Sequence, residues 1–278
     1  MPTTQATFVI AYDFDGTLAP GNMQEYDFIP ELGLKKEEFW AQVNELRVHQ
    51  EADEILAYMQ KMLEEAQHKK VAVTKQNFID YGSKIRFFTG VESWFERINE
   101  YGQTKNINVK HFIISSGLRE MIVGTSIAKE FEKIYASGFM YDANNVAHWP
   151  AQAVNYTTKT QYLFRINKGA LDLTERDKVN EYIPPENRAV PFTNMCFIGD
   201  GLTDIPCMRL VREYGGHAIA VYTEGQEKDK QKVLQLVNEK RANLAAVADY
   251  TEGSPIDIAI KAMIEKVAAQ QIINRSGI

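Results

Sequence analysis

Four short apolar runs constrain this 278-residue chain more than any other feature: Phe8-Val9-Ile10-Ala11-Tyr12, Phe112-Ile113-Ile114, Cys196-Phe197-Ile198 and Ala218-Ile219-Ala220-Val221. A strand made from such a run has no polar side to give to solvent, so both of its faces must be covered. A parallel sheet between layers of helices meets that condition, and stretches with helical spacing lie at 91–101, 120–134, 159–167 and 206–214. A final helix is announced by Ser254-Pro255-Ile256-Asp257, which supplies a cap, a proline in the first turn and an acid behind it. The expected fold class is α/β.

The first two runs are separated by far more chain than one crossover helix needs. Residues 18–86 carry helical patterns at 35–48, 51–67 and 75–84, with Ile55, Leu56, Met59, Met62 and Leu63 at helical spacing. The spacing predicts a small helical domain, 19–86, inserted into a core made of 1–18 and 87–278. A hairpin-like excursion is expected within 136–158, where Asn144-Asn145 offers a turn and Trp149-Pro150 breaks the pattern.

Thirty-one basic against 37 acidic side chains leave a formal charge of −6. That balance opposes a broad nucleic-acid surface, which needs clustered cations, but leaves room for a small phosphorylated ligand held by one or two. Cys196 and Cys207 make no disulfide framework, and Cys196 reads as a buried thiol. The chain opens without a basic, apolar leader, and no stretch reaches the roughly 20 apolar residues of a membrane span. A cytoplasmic protein with no membrane partner is the expectation; nothing in the sequence sets its oligomeric state.

Chemistry gathers where the runs end. Asp13 closes the first, within Asp13-Phe14-Asp15-Gly16-Thr17; Ser115 closes the second, within Ser115-Ser116-Gly117; Asp200 closes the third, within Gly199-Asp200-Gly201-Leu202-Thr203-Asp204. The carboxyl ends of parallel strands form the ligand crevice of an open α/β sheet, so these groups should share one cavity. Each alone has a plain reading: Asp and Gly favour turns, and Ser115 suits a helix cap. Two lysines are candidates for a cation there. Lys159 opens an expected helix, whereas Lys168 closes it before Gly169, where a C-terminal cation already has a structural reason to be. Lys159 is favoured.

In this order, acid pair, hydroxyl, lysine and second acid pair, the sequence resembles the haloacid dehalogenase superfamily from Phe8 to Val221, most closely its phosphoserine phosphatase-like branch. The resemblance implies a Rossmann-like core, a helical cap at 19–86, and a Mg²⁺-dependent phosphatase acting on a small phosphorylated metabolite. Asp13 would be the nucleophile and Asp15 the general acid and base. Asp13 and Asp200 would hold Mg²⁺ with the Asp15 carbonyl, and Asp204 would bind the metal or orient its waters. Ser115 and Lys159 would grip the phosphoryl oxygens, helped by Phe14, Gly16, Ser116 and Gly117.

An acid at position 15 favours phosphate over halide chemistry, because a departing alkoxide needs a proton and a halide does not. Phosphoserine phosphatases carry a glutamate where this chain has Asn22, with Glu25 three residues later, and that departure counts against phosphoserine itself. Arg47 and Arg86 are candidates for a substrate carboxylate, although solvated arginines are the plainer reading. A phosphomutase with the same aspartyl-phosphate, or a non-catalytic protein of the same fold, are the alternatives.

Overall fold

The apolar runs form the centre of a seven-stranded sheet in the computed structural model, which describes residues 5–276. Residues 1–4 and 277–278 of the expected core lie outside the described residues. The strands are β1 (Ala6–Tyr12), β2 (Ile107–Leu118), β3 (Phe131–Tyr141), β4 (Ala147–Gln152), β5 (Met195–Gly199), β6 (His217–Tyr222) and β7 (Leu244–Val247), in the order β4-β3-β2-β1-β5-β6-β7. Neighbours run parallel except β3 and β4, which pair as an antiparallel hairpin. β1 is central, flanked by β2 and β5.

Eleven α-helices are described. Four lie between β1 and the crossover to β2: α1 (Phe28–Glu31), α2 (Lys36–Gln50), α3 (Glu54–Lys69) and α4 (Lys75–Gly82). They are followed by α5 (Val91–Thr104), α6 (Arg119–Val123), α7 (Tyr156–Lys168), α8 (Arg176–Asn180), α9 (Ile205–Glu213), α10 (Glu227–Asn238) and α11 (Pro255–Ser276). The chain departs at Leu18 and returns at Phe88, where the Phe88 amide donates to the Leu18 carbonyl at 3.0 Å. The ends of the inserted helical segment therefore meet at one point. None of the described helices is long and apolar enough to cross a membrane.

Alternation along β1 divides the core. Phe8, Ile10 and Tyr12 pack on the face covered by α5 and α11, while Val9 and Ala11 join the opposite cluster with α7 and α9. All five are fully buried, and a large apolar side chain so placed contributes about 1.5–3 kcal/mol over an exposed one. A polar chain of contacts in the first cluster is satisfied. Trp94 Nε1 donates to the Tyr12 hydroxyl at 2.8 Å, that hydroxyl lies 2.9 Å from His111 Nδ1, and His111 Nε2 lies 3.0 Å from Asn99 Oδ1.

The structure corrects one expected element. The 120–134 segment is not a single helix: α6 ends at Val123, and the chain enters β3 at Phe131. Gly124 stands at the break, and its close approach to the Ile79 carbonyl leaves no room for a side chain where α6 meets α4. The excursion expected in 136–158 is the β3–β4 hairpin, with β3 also extending the parallel sheet beside β2. Ser254 caps α11 as expected, its hydroxyl accepting from the Asp257 amide at 3.2 Å.

Candidate active site

Because β1 is the middle strand, the residue after it emerges at the centre of the sheet's carboxyl edge. That residue is Asp13, whose amide continues the ladder by donating to the Ile198 carbonyl at 2.9 Å. Its carboxylate is pinned at both oxygens. Oδ1 accepts from the Phe14 amide at 2.7 Å, and Oδ2 accepts from Lys159 Nζ at 2.8 Å. Lys159 lies in the first turn of α7 and is wholly buried. It donates also to Asp204 Oδ1 at 2.7 Å, bridging the two acids. Burial alone would lower its pKa, but the charges of Asp13 and Asp204 outweigh burial and hold it above the usual lysine range.

Asp200 follows β5 directly, and its Oδ1 accepts a long hydrogen bond of 3.4 Å from Thr17 Oγ1. Asp204 is fully buried, with Oδ2 accepting from the Gly201 amide at 3.1 Å. Side-chain oxygens of Asp13, Asp200 and Asp204 lie within 4.8 Å of one another. Burial first, and then the neighbouring carboxylates, raise Asp200 well above the usual carboxylate range and push Asp204 up to about 7. Three hard oxygen donors crowded around one lysine carry more negative charge than the protein itself neutralises. That donor set fits a small divalent cation such as Mg²⁺. Gly16 makes room for the Asp200 carboxylate: φ is +70°, and a Cβ there would stand 2.1 Å from Asp200 Oδ2.

Asp15 is held apart from this cluster. Its Oδ1 accepts from the Met23 amide at 2.8 Å, and its other oxygen lies toward Gly117. Burial, then the charge of Asp13, raises its pKa well above the usual carboxylate range. Ser115 is fully buried, and its hydroxyl accepts from the Gly117 amide at 3.0 Å. The Ser116 hydroxyl is buried without a hydrogen-bond partner.

Asp13, Asp15, Ser115, Ser116 and Asp200, with Lys159 and Asp204 buried outside its lining, floor a cavity of about 630 Å³ whose opposite wall comes from α2 and α3, through Trp40, Val43, Arg47, Ile55 and Tyr58. The inserted helices are tied to the core across it. Tyr58 donates to the Ser116 carbonyl at 2.7 Å, and Asn155 Nδ2 donates to Asp53 Oδ2 at 3.0 Å.

The remaining sequence candidates fall outside the centre. Lys168 Nζ donates to the carbonyls of Val179 and Glu181 at 2.7 and 2.8 Å, pinning the loop after α7. Gly169 ends α7 in the left-handed region at φ +69°, as a C-terminal glycine should. Arg86 is exposed and does not line the cavity, whereas Arg47 sits at its wall, exposed and donating to Asn44 Oδ1 at 2.8 Å. Asn22 faces the cavity; Glu25 lies behind it, accepting from Asn22 Nδ2 and Trp40 Nε1, each at 2.8 Å. Sequence reasoning passed over Thr17, Gln24 and Tyr58. Thr17 stood inside the quoted motif, while nothing local to Gln24 or Tyr58 distinguishes a cavity residue from an ordinary helical one.

Comparison with known proteins agrees with this geometry. The family model for haloacid dehalogenase-like hydrolases matches residues 10–209. A protein of Borreliella burgdorferi described as uncharacterized is 29% identical over 274 residues, covering 89% of this chain and 93% of its own. Among solved structures, a hydrolase of the same family from Salmonella enterica serovar Typhi aligns with a TM-score of 0.58 at 17% identity, over 94% of this chain and 72% of that one. A substrate-bound phosphoserine phosphatase aligns at 0.55 and 13% identity, over 87% and 93%. At these identities the structural likeness concerns the fold.

Proposed function

The chain belongs to the haloacid dehalogenase-like hydrolase family, and from that premise we propose that it hydrolyses phosphate monoesters of small metabolites through an aspartyl-phosphate on Asp13, with Mg²⁺ as cofactor. The observation that carries this reading is the junction of Asp13, Lys159, Asp200 and Asp204 at the end of the central strand, with Asp15 beside it. Asp13 and Asp200, with Asp204 and, by family resemblance, the Asp15 carbonyl, would hold Mg²⁺, which would supply neutralisation of phosphoryl charge.

In the first step a carboxylate oxygen of Asp13 bonds to phosphorus as the phosphorus–ester oxygen bond breaks, its electron pair leaving with the alkoxide. Asp15, whose burial and neighbour Asp13 favour the protonated form, gives that alkoxide its proton. In the second step the ionised Asp15 takes a proton from water, whose oxygen bonds to phosphorus and frees Asp13 and inorganic phosphate. Lys159, Ser115 and the amides near Phe14, Gly16, Ser116 and Gly117 hold the phosphoryl oxygens. The inserted helices act as a cap over the cavity, restricting it to small substrates and limiting water.

The test is release of inorganic phosphate from p-nitrophenyl phosphate and a panel of phosphorylated metabolites. EDTA should stop the reaction, Mg²⁺ should restore it, and Asp13→Asn should abolish it while leaving the fold intact. Turnover that survives EDTA, or an active Asp13→Asn protein, rejects the reading.

A further inference from the structure

β2 leaves the ladder just where it enters the site. Ser115 pairs with Ala136 and Leu118 pairs with Ser137, so Ser116 and Gly117 bulge out between two successive partners on β3. Peptide groups in a bulge lose their sheet partners and must find others, because a buried N–H or carbonyl left alone is costly. The peptide that joins Ser116 to Gly117 finds one at each end. Its carbonyl accepts from the Tyr58 hydroxyl at 2.7 Å, and its N–H donates to Ser115 Oγ at 3.0 Å. The next amide, of Leu118, donates to Met23 Sδ at 3.1 Å. Two of the three anchors of this bulge, Tyr58 and Met23, therefore come from the inserted segment and not from the sheet. The carbonyl and N–H of a trans peptide point opposite ways, so the bond to Tyr58 on one side and to Ser115 on the other fix its rotation together.

The effect falls on the Ser115 hydroxyl, which has one hydrogen and two lone pairs. A lone pair is taken by the Gly117 amide, and among the described residues the hydrogen is donated to none. That hydrogen is what a phosphoryl oxygen requires of Ser115. We propose that Tyr58 is a positioning residue of the phosphoryl site: from the cap it holds the Ser116–Gly117 peptide, and through that peptide it orients the Ser115 hydroxyl as a donor. This rests on the phosphatase reading given above and ties the seating of the inserted helices to the grip on phosphate.

A double-mutant cycle separates this role from mere packing. Tyr58→Phe removes one oxygen and keeps the buried ring, which lies edge-on to Trp40 at 6.2 Å. In the Mg²⁺-loaded protein it should lower kcat/KM for p-nitrophenyl phosphate by about three- to tenfold, the worth of one hydrogen bond. In a Ser115→Ala background the same change should cost less than about twofold, because the hydroxyl it orients is gone. Calorimetric binding of inorganic phosphate with Mg²⁺ present should show the same coupling, and melting curves verify that the variants fold. A Tyr58→Phe protein equal to wild type, or a loss as large with Ser115→Ala as without it, overturns the proposal. Coupled phosphate binding in a protein that cleaves no phosphate ester refutes the phosphatase reading and keeps the positioning role. Cleavage and binding both indifferent to Tyr58 do the reverse, and a wild-type protein that neither cleaves nor binds rejects both.

Discussion

Lys159 and Lys168 are nine positions apart on one helix and do different work because of what surrounds them. Lys159 is sealed between Asp13 and Asp204; Lys168 spends its ammonium on two backbone carbonyls. Removing one partner from a buried ionic group leaves the other charges uncompensated, at a cost of about 3–5 kcal/mol. Lys159→Ala should therefore lose nearly all turnover and lower the melting temperature without metal, and millimolar Mg²⁺ should restore much of that loss by replacing the missing positive charge. Lys168→Ala should keep turnover within severalfold, since it only loosens the loop after α7. Equal losses of activity in the two variants would contradict these roles. At this scale the sequence made Asp13 and Asp200 legible, because an acid ending an apolar run has few places to go, and Asp204 stood in the motif that Asp200 opens. It hid Tyr58, whose importance comes from the distant Ser116 carbonyl it holds.

The elements explain which parts of the fold could be read beforehand. β1, β5 and β6 are buried on both faces and therefore nearly all apolar, so their positions followed from composition. β3 did not, since its buried stretch is Tyr135-Ala136-Ser137-Gly138-Phe139, where small and polar residues fill space that bulkier chains would occupy elsewhere. β7, only four residues long, carries too little pattern to be distinguished. His111 on β2 shows what such a layer tolerates. Burial pulls its pKa from 6.5 down to about 3, so the fold holds it neutral between Tyr12 and Asn99. Because the folded pKa lies below the unfolded one, its contribution is present above pH 6.5 and lost as pH falls from 6.5 toward 3, on the order of a few kcal/mol in all. Urea unfolding at pH 7.5 and 5.0 should show wild type losing more stability across the interval than His111→Asn; parallel profiles would exclude this account.

On the scale of the whole molecule, the inserted helices and the sheet share a single apolar cluster. Phe78 of α4 stacks on Phe139 of β3 at 5.7 Å, and Gly82 and Gly124 let α4 and α6 approach backbone to backbone. Phe28, Phe39 and Met59 belong to the same cluster as Ile10 and Trp94. A segment joined this way does not melt by itself. Scanning calorimetry should record one cooperative transition, with equal calorimetric and van't Hoff enthalpies; two resolved transitions would mean that the helices form an independent body.

The central place of β1 also has a temporal consequence. Of the sheet's strands, β1, which leads into Asp13, is translated before the others, yet its neighbour β5, and with it Asp200 and Asp204, follows much later. During synthesis the nascent chain holds its principal acid in a half-made sheet, without Lys159 or the second acid pair. The full acid cluster thus forms only once β5 pairs beside a strand made long before.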